Sequence, residues 1–277
     1  MGRKIAITGA TGGLGNEIVF NLAEKKIDLI FVDRNPQKSQ NFAQKVKEKY
    51  PDVNIDFVTC DLSSIESVKN AEKQLEEKNI DTLILNSGIY NVPLKKLELG
   101  YNNVFQVNFI SQYYLARKLV ENGKVRKVVA VGSIANNFSK LNENDIDFSN
   151  NAKINKTYGN SKRFFMFSLY DFFKDRQDCK FAIAHPGITL TNMTNHYPKW
   201  INWFIKFGIK VVFPSPKKAA RNIVRATDED CGYLEWIGPW LFNIWGRPKK
   251  KKLNTCKEDE IKKISAIADK IYKDINK

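Results

Sequence analysis

A short apolar run, Lys4–Thr8, leads directly into Thr8-Gly9-Ala10-Thr11-Gly12-Gly13-Leu14-Gly15 and then into a helix-length segment. A tight turn after a strand needs residues free of Cβ, and the backbone N–H groups at the start of the following helix aim at an anion. Gly9, Gly12, Gly13 and Gly15, with Thr11 and Leu14 among them, therefore suit a loop that lets a pyrophosphate approach the main chain. The loop lies between a strand and a helix in a unit of about 30 residues, the setting in which such glycines bind a dinucleotide.

The rest of the chain repeats that alternation. Strand-like runs recur at Asp28–Asp33, Ile55–Thr59, Thr82–Asn86, Lys127–Ser133 and Lys180–His185, with Tyr233–Ile237 as a candidate seventh. Near-continuous apolar strands separated by helices specify a parallel sheet covered on both faces. The expectation is α/β: one doubly wound domain over residues 1–250 with a mostly parallel sheet of six to seven strands, and a helical tail at 251–277. With 277 residues, 43% of them apolar, such a core can be filled. Helix starts are expected at Gly13, at Asn35-Pro36 with proline in the first turn, and at Ser63-Ser64-Ile65-Glu66 as a capping box.

Two segments interrupt the pattern. Asn136–Thr157 is a polar connection between the fifth strand and the next helix. In Asn192–Phe213 the polar Lys199, Asn202, Lys206 and Lys210 recur three or four apart and leave an apolar face from Trp200 to Val211. No stretch reaches the roughly 20 apolar residues of a membrane-spanning helix. Nothing before Lys4 has the length of a signal peptide, so a soluble, cytoplasmic protein is expected. Cys60, Cys179, Cys231 and Cys256 fall at wide spacings with no histidine close by, which suggests neither a metal site nor a disulfide framework. A formal charge of +15 admits an anionic partner, but the lysines are spread over most helices. Nucleic acid is disfavoured, because no basic stretch alternates with aromatics.

Tyr158 and Lys162, four apart in Tyr158-Gly159-Asn160-Ser161-Lys162, share a helix face, so an ammonium can lie beside a phenol. Hydride transfer to a ketone builds charge on its oxygen and calls for a proton donor with a pKa near the working pH. Tyrosine begins about three units too high, at ~10. Correcting that takes about 4 kcal/mol, which one ammonium at about 4 Å supplies only in a sheltered site, helped by the positive charge of an oxidised nicotinamide. Ser133, after the apolar Lys127–Val131, belongs at the carboxyl end of the sheet, where open α/β folds bind ligands.

These residues together resemble the short-chain dehydrogenase/reductase family, whose Thr-Gly-x-x-x-Gly-x-Gly pattern is met by Thr8, Gly9, Gly13 and Gly15. The spacing of Gly9, Gly12 and Gly15 also fits the extended subgroup. Further likeness lies in Asp61-Leu62, in Asn86-Ser87-Gly88 and in Pro186-Gly187-Ile188-Thr189 with Thr191. The resemblance implies a Rossmann fold, adenine contacts from Asp61 and Leu62, and nicotinamide and pyrophosphate contacts from 186–191. It also implies Tyr158 as acid/base, Lys162 as its electrostatic partner and ribose anchor, Ser133 as donor to the substrate oxygen, and Asn108 as support of a proton-relay water. Asp145-Ile146-Asp147-Phe148 and His185-Pro186-Gly187 are similar to the retinol-dehydrogenase-like branch. His185 reads as a strand-end residue, and Asn192–Phe213 falls where the family carries its substrate lid.

Asp33, ending the second strand, can accept both ribose hydroxyl protons and would repel a 2′-phosphate, whereas Arg34 suits that phosphate. The carboxylate tips the expected cofactor towards NAD over NADP. The expected activity is interconversion of an alcohol and a carbonyl compound, with a small-molecule, apolar substrate. The 200–213 helix is a lid, a dimer contact or a peripheral membrane contact, and a homo-oligomer is compatible with it. A nucleotide-sugar epimerase or dehydratase and a non-catalytic NAD(P)-binding regulator are the alternatives.

Overall fold

The computed structural model describes residues 3–150, 153–187 and 215–277. Strands β1 (Lys4–Thr8), β2 (Asp28–Asp33), β3 (Ile55–Thr59), β4 (Ile80–Leu85), β5 (Val125–Val131), β6 (Lys180–Ala184), β7 (Glu235–Leu241) and β8 (Trp245–Lys252) form one sheet in the order β3-β2-β1-β4-β5-β6-β7-β8. All neighbours pair parallel except β8, which runs antiparallel to β7. The sense in which successive strands are added reverses between β1 and β4, and at such a switch point the loops part to leave a crevice.

Helices α1 (Gly13–Glu24), α2 (Pro36–Lys49) and α6 (Pro216–Asp228) bury one face of the sheet; α3 (Ile65–Glu76), α4 (Ser111–Glu121), α5 (Ile154–Phe173) and α7 (Glu258–Ile275) bury the other. α7 is not a loose tail. Its Ile261, Ile264, Ala268 and Ile271 join the core against α5, and Glu260 receives a two-pronged bond from buried Arg163, at 2.7 Å from Nε and 2.6 Å from Nη2. Cys60 and Cys179 are buried free thiols, pushed up to about 12 by desolvation.

Asn35 caps α2 as expected, accepting from the Lys38 N–H at 2.9 Å. At α3 the capping box does not form: Ser64, not Ser63, is the cap and accepts from the Ser67 N–H, which puts Glu66 one position too early to reach back. The sheet has eight strands rather than six or seven. Trp-Gly-Arg-Pro-Lys-Lys-Lys-Lys lacks a strand's apolar alternation, yet an edge strand has solvent on its outer side and tolerates proline and lysine. Among the described residues no helix is long and apolar enough to cross a membrane. The expected lid at Asn192–Phe213, with Ile188, Thr189 and Thr191, lies outside the described residues.

Candidate active site

The loop after β1 closes on itself. Gly9 has a φ of +70°, and a Cβ there would lie 2.7 Å from the Ser87 Oγ; one on Gly15 would lie 2.0 Å from the Gly9 carbonyl oxygen. Gly12 precedes α1 without a side-chain cap, so the first-turn amides keep their capacity for an outside anion. Asn86 ties the loop after β4 to this turn, donating to the Thr8 and Gly9 carbonyls at 3.0 and 3.1 Å.

Between Asn102 and α4 the helix widens into a π-turn, Gln106–Ile110, with Asn108 fully buried in it. Asn108 Oδ1 accepts from the Ile89 N–H at 2.8 Å, and its Nδ2 donates to the Ile89 carbonyl and the Ser161 Oγ, both at 3.0 Å. A π-turn frees carbonyls from the regular ladder; the Gln112 side chain takes up that of Asn108 at 3.2 Å while also holding the Ser87 carbonyl at 2.9 Å. A Cβ on Gly88 would lie 3.4 Å from Asn108 Oδ1 and 3.8 Å from Lys162 Nζ, so glycine keeps open the space those two groups flank. The expected relay support and ammonium therefore share one space.

Ser133 leaves the end of β5, Tyr158 and Lys162 lie on α5, and the Ser133 hydroxyl is hydrogen-bonded to the Tyr158 phenol. Lys162 Nζ donates to the Val131 carbonyl at 3.0 Å. Burial raises the phenol to about 12, against the smaller lowering by Ser133, and lowers the ammonium to about 8. Desolvation dominates at the phenol, and the ammonium is turned to that backbone oxygen. Both shifts favour neutral groups. His185 is buried, stacked on Trp236 at 4.9 Å, and lowered to about 4, as suits a strand-end residue.

A cavity of ≈ 680 Å³ runs from Gly9, Gly12, Gly13, Leu14 and Gly15 past Asn86, Ser87 and Gly88 to Ser133, Tyr158, Lys162, Pro186 and Gly187. A second, of ≈ 520 Å³ and mostly apolar, is lined by Val92, Pro93, Leu94, Val104 and Ile154 and meets the first at Val92 and Tyr158. At the adenine end Arg34 lines the larger cavity. Asp33, 8% exposed, has its Oδ1 on the Thr11 N–H and hydroxyl (3.5 and 3.2 Å) and its Oδ2 on the Ser39 hydroxyl (3.3 Å), and burial raises its pKa. Asp61 binds the Ser63 N–H and hydroxyl at 2.9 and 2.7 Å, and Leu62 is buried with its carbonyl on Ser111. Thr11, Asp33, Asp61 and Leu62 do not line the cavity. Tyr90, Phe138 and Asn155 line it and carry no motif that would single them out in sequence.

A glycine turn that a Cβ at Gly9 or Gly15 would disrupt, uncapped amides and a long cavity ending at a phenol and an ammonium fit a nicotinamide dinucleotide. Such a group, when bound, supplies or accepts hydride. The chain's own residues would hold its pyrophosphate on the α1 amides, exclude water at Tyr158 and keep a proton on that hydroxyl for a carbonyl oxygen.

The family model described as short chain dehydrogenase matches residues 3–202. The chain is 24% identical over 261 residues to polyprenol dehydrogenase of Homo sapiens, covering 87% of this chain and 77% of that one. It is 29% identical over 211 residues to retinol dehydrogenase 12 of Mus musculus, covering 73% and 66%. A short-chain dehydrogenase from Sphingobium yanoikuyae, solved in complex with NADPH, superposes with a TM-score of 0.58 at 19% identity, covering 82% of this chain and 84% of that one.

Proposed function

We propose that this chain, which belongs to the short-chain dehydrogenase family, uses NADP(H) to interconvert an apolar alcohol and its carbonyl compound. The observation that carries the reading is the place of Tyr158, in the wall shared by the long cavity and the apolar one. A carbonyl entering over Val92 and Leu94 meets the phenol from one side and the space for nicotinamide from the other. Ser133 then donates to the oxygen on which charge grows, and Tyr158 gives it the proton. The names of the polyprenol and retinol relatives support an apolar substrate.

The choice of NADP over NAD rests on Asp33 and Arg34. The case for NAD needs the Asp33 carboxylate to face the ribose, and that carboxylate is buried against Thr11 and Ser39 and does not line the cavity. Arg34 on the cavity wall matches a 2′-phosphate. An epimerase would need a substrate domain after β6, and the described residues from 215 onward belong to the same sheet and cores.

Separate fluorescence titrations with NADPH and NADH, followed by turnover of long-chain aldehydes, ketones and sugars, test both parts. Tighter NADPH binding that is lost in Arg34→Ala, with turnover of apolar carbonyls cut about a hundredfold or more in Tyr158→Phe, is the expected result. Tighter NADH binding overturns the cofactor choice, and a preference for sugars overturns the substrate class.

A further inference from the structure

The hairpin at the far edge of the sheet breaks two local rules in one place. β7 runs parallel to β6, so its end at Leu241 and the turn into β8 lie at the carboxyl edge that carries the site. Within the turn the Ile244 N–H donates to the Leu241 carbonyl at 3.0 Å, while Phe242 and Asn243 have φ values of +50° and +57°. Two consecutive positive φ values ask for asparagine or glycine, and a bulky aromatic at one of them is strained. Phe242 is nevertheless there and 77% exposed. With Trp240 at 55% it is the most exposed large apolar side chain of the described residues. Trp240 lies over Gly246, where a Cβ would be 1.9 Å from the indole.

Charge follows at once. The outermost strand carries Arg247, Lys249, Lys250, Lys251 and Lys252. The carboxylates that face it are Glu229, 4.0 Å from Lys250, and Glu235, 3.2 Å from Lys252. Lys251 donates to the Pro239 carbonyl and to Asn243 Oδ1 at 2.6 and 2.8 Å. Arg247 and Lys249 are exposed and have no ion pair among the described residues. The tip also borders the site, since a Cβ on Gly187, in the cavity wall, would lie 3.1 Å from the Ile244 carbonyl oxygen.

We propose that the β7–β8 hairpin docks on an anionic lipid bilayer, with Trp240 and Phe242 entering the headgroup region and Arg247 and Lys249 meeting lipid phosphates and carboxylates. Charge complementarity selects this occupant. Exposed aromatics backed by unpaired cations suit a membrane surface, whereas lysine is depleted from the core of protein–protein contacts. The formal charge of +15 adds attraction at longer range. Docked this way, the cavity wall at Gly187 lies on the bilayer side.

Flotation of the full chain with vesicles of phosphatidylcholine, alone or mixed with phosphatidylserine, tests the surface. The chain is expected to float with the mixed vesicles and not with the neutral ones, and to be released by salt. Phe242→Asn, which suits the positive φ, and the double variant Arg247→Gln/Lys249→Gln should each reduce the bound fraction about fivefold or more, with circular dichroism unchanged. Equal flotation on neutral vesicles, or undiminished flotation of either variant, overturns the proposal. So does a dimer in solution that Phe242→Asn converts to monomer, because the tip would then be a contact between copies. Cofactor titration and turnover of these variants away from vesicles should match the parent chain, so a failed docking surface and a failed dehydrogenase reading are told apart.

Discussion

Tyr90 stands edge-on to Tyr158, ring centroids 5.0 Å apart, and its hydroxyl donates to Asn155 Oδ1 at 2.5 Å, one turn before Tyr158 on α5. The loop after β4 thereby braces the phenol. Tyr90→Phe keeps the ring and loses a bond worth about 1 kcal/mol, so kcat should fall by no more than about fivefold. Tyr90→Ala removes both and should cost about tenfold or more, with the cofactor KM moving less than kcat. Tyr158→Phe should cost about 10²–10⁴-fold. Steady-state rates followed by NADPH absorbance separate the three.

Gly15→Ala should destroy cofactor binding. The new methyl would overlap the Gly9 carbonyl oxygen, and backbone cannot yield as a flexible side chain does. The loop must open, at a cost of about 1–3 kcal/mol in stability. Calorimetric titration with NADPH and a melting curve measure both effects.

His185 should make the fold acid-sensitive. Its folded pKa is about 4 against an ordinary 6.5, so between those values the unfolded chain binds a proton that the folded chain refuses. Stability is therefore intact above pH 6.5 and falls as the pH drops through that window, by up to about 3 kcal/mol. His185→Phe keeps a ring against Trp236 and should flatten the dependence of Tm on pH between 6.5 and 4.

Lys162 acts at the opposite end of the scale. Burial holds it at about 8 against 10.5, so the folded state bears the full penalty of an ammonium below pH 8 and is relieved as the pH rises towards 10.5. Lys162→Met should raise the stability of the cofactor-free protein at pH 7, by up to about 3 kcal/mol, while abolishing turnover. Urea titrations at pH 7 and pH 10 should show the gain shrinking with pH.

Glu260→Ala should loosen the catalytic helix from a distance. It leaves the buried Arg163 guanidinium without its carboxylate, a loss of about 3–5 kcal/mol, and strips the Leu141 N–H of its acceptor at 2.8 Å. Urea denaturation should show the loss.

Strands β1, β2 and β3 were legible to the residue because their apolar runs are bounded by glycine, asparagine and charged residues. β4 and β5 each begin two residues earlier than the apolar pattern suggests, at Ile80-Asp81 and Val125-Arg126, since ladder pairing does not require every side chain to point inward. The Tyr158–Lys162 pair and the glycine loop were legible because local spacing dictates their geometry. Tyr90 and Asn155 were not: they meet across 65 positions, and only the folded chain brings them together. The desolvation of Tyr158 was not legible, because spacing locates the ammonium but says nothing of how dry the phenol is.

The outer N–H and C=O row of β8 is a template on which another strand could grow. A second copy approaching antiparallel would bring lysine against lysine along Lys249 to Lys252, and like charges directly across a ladder repel. Fibril-like stacking is thereby held off at that border. The burden of staying unstacked in a crowded solution passes to the opposite border, where β3 shows Phe57 39% exposed.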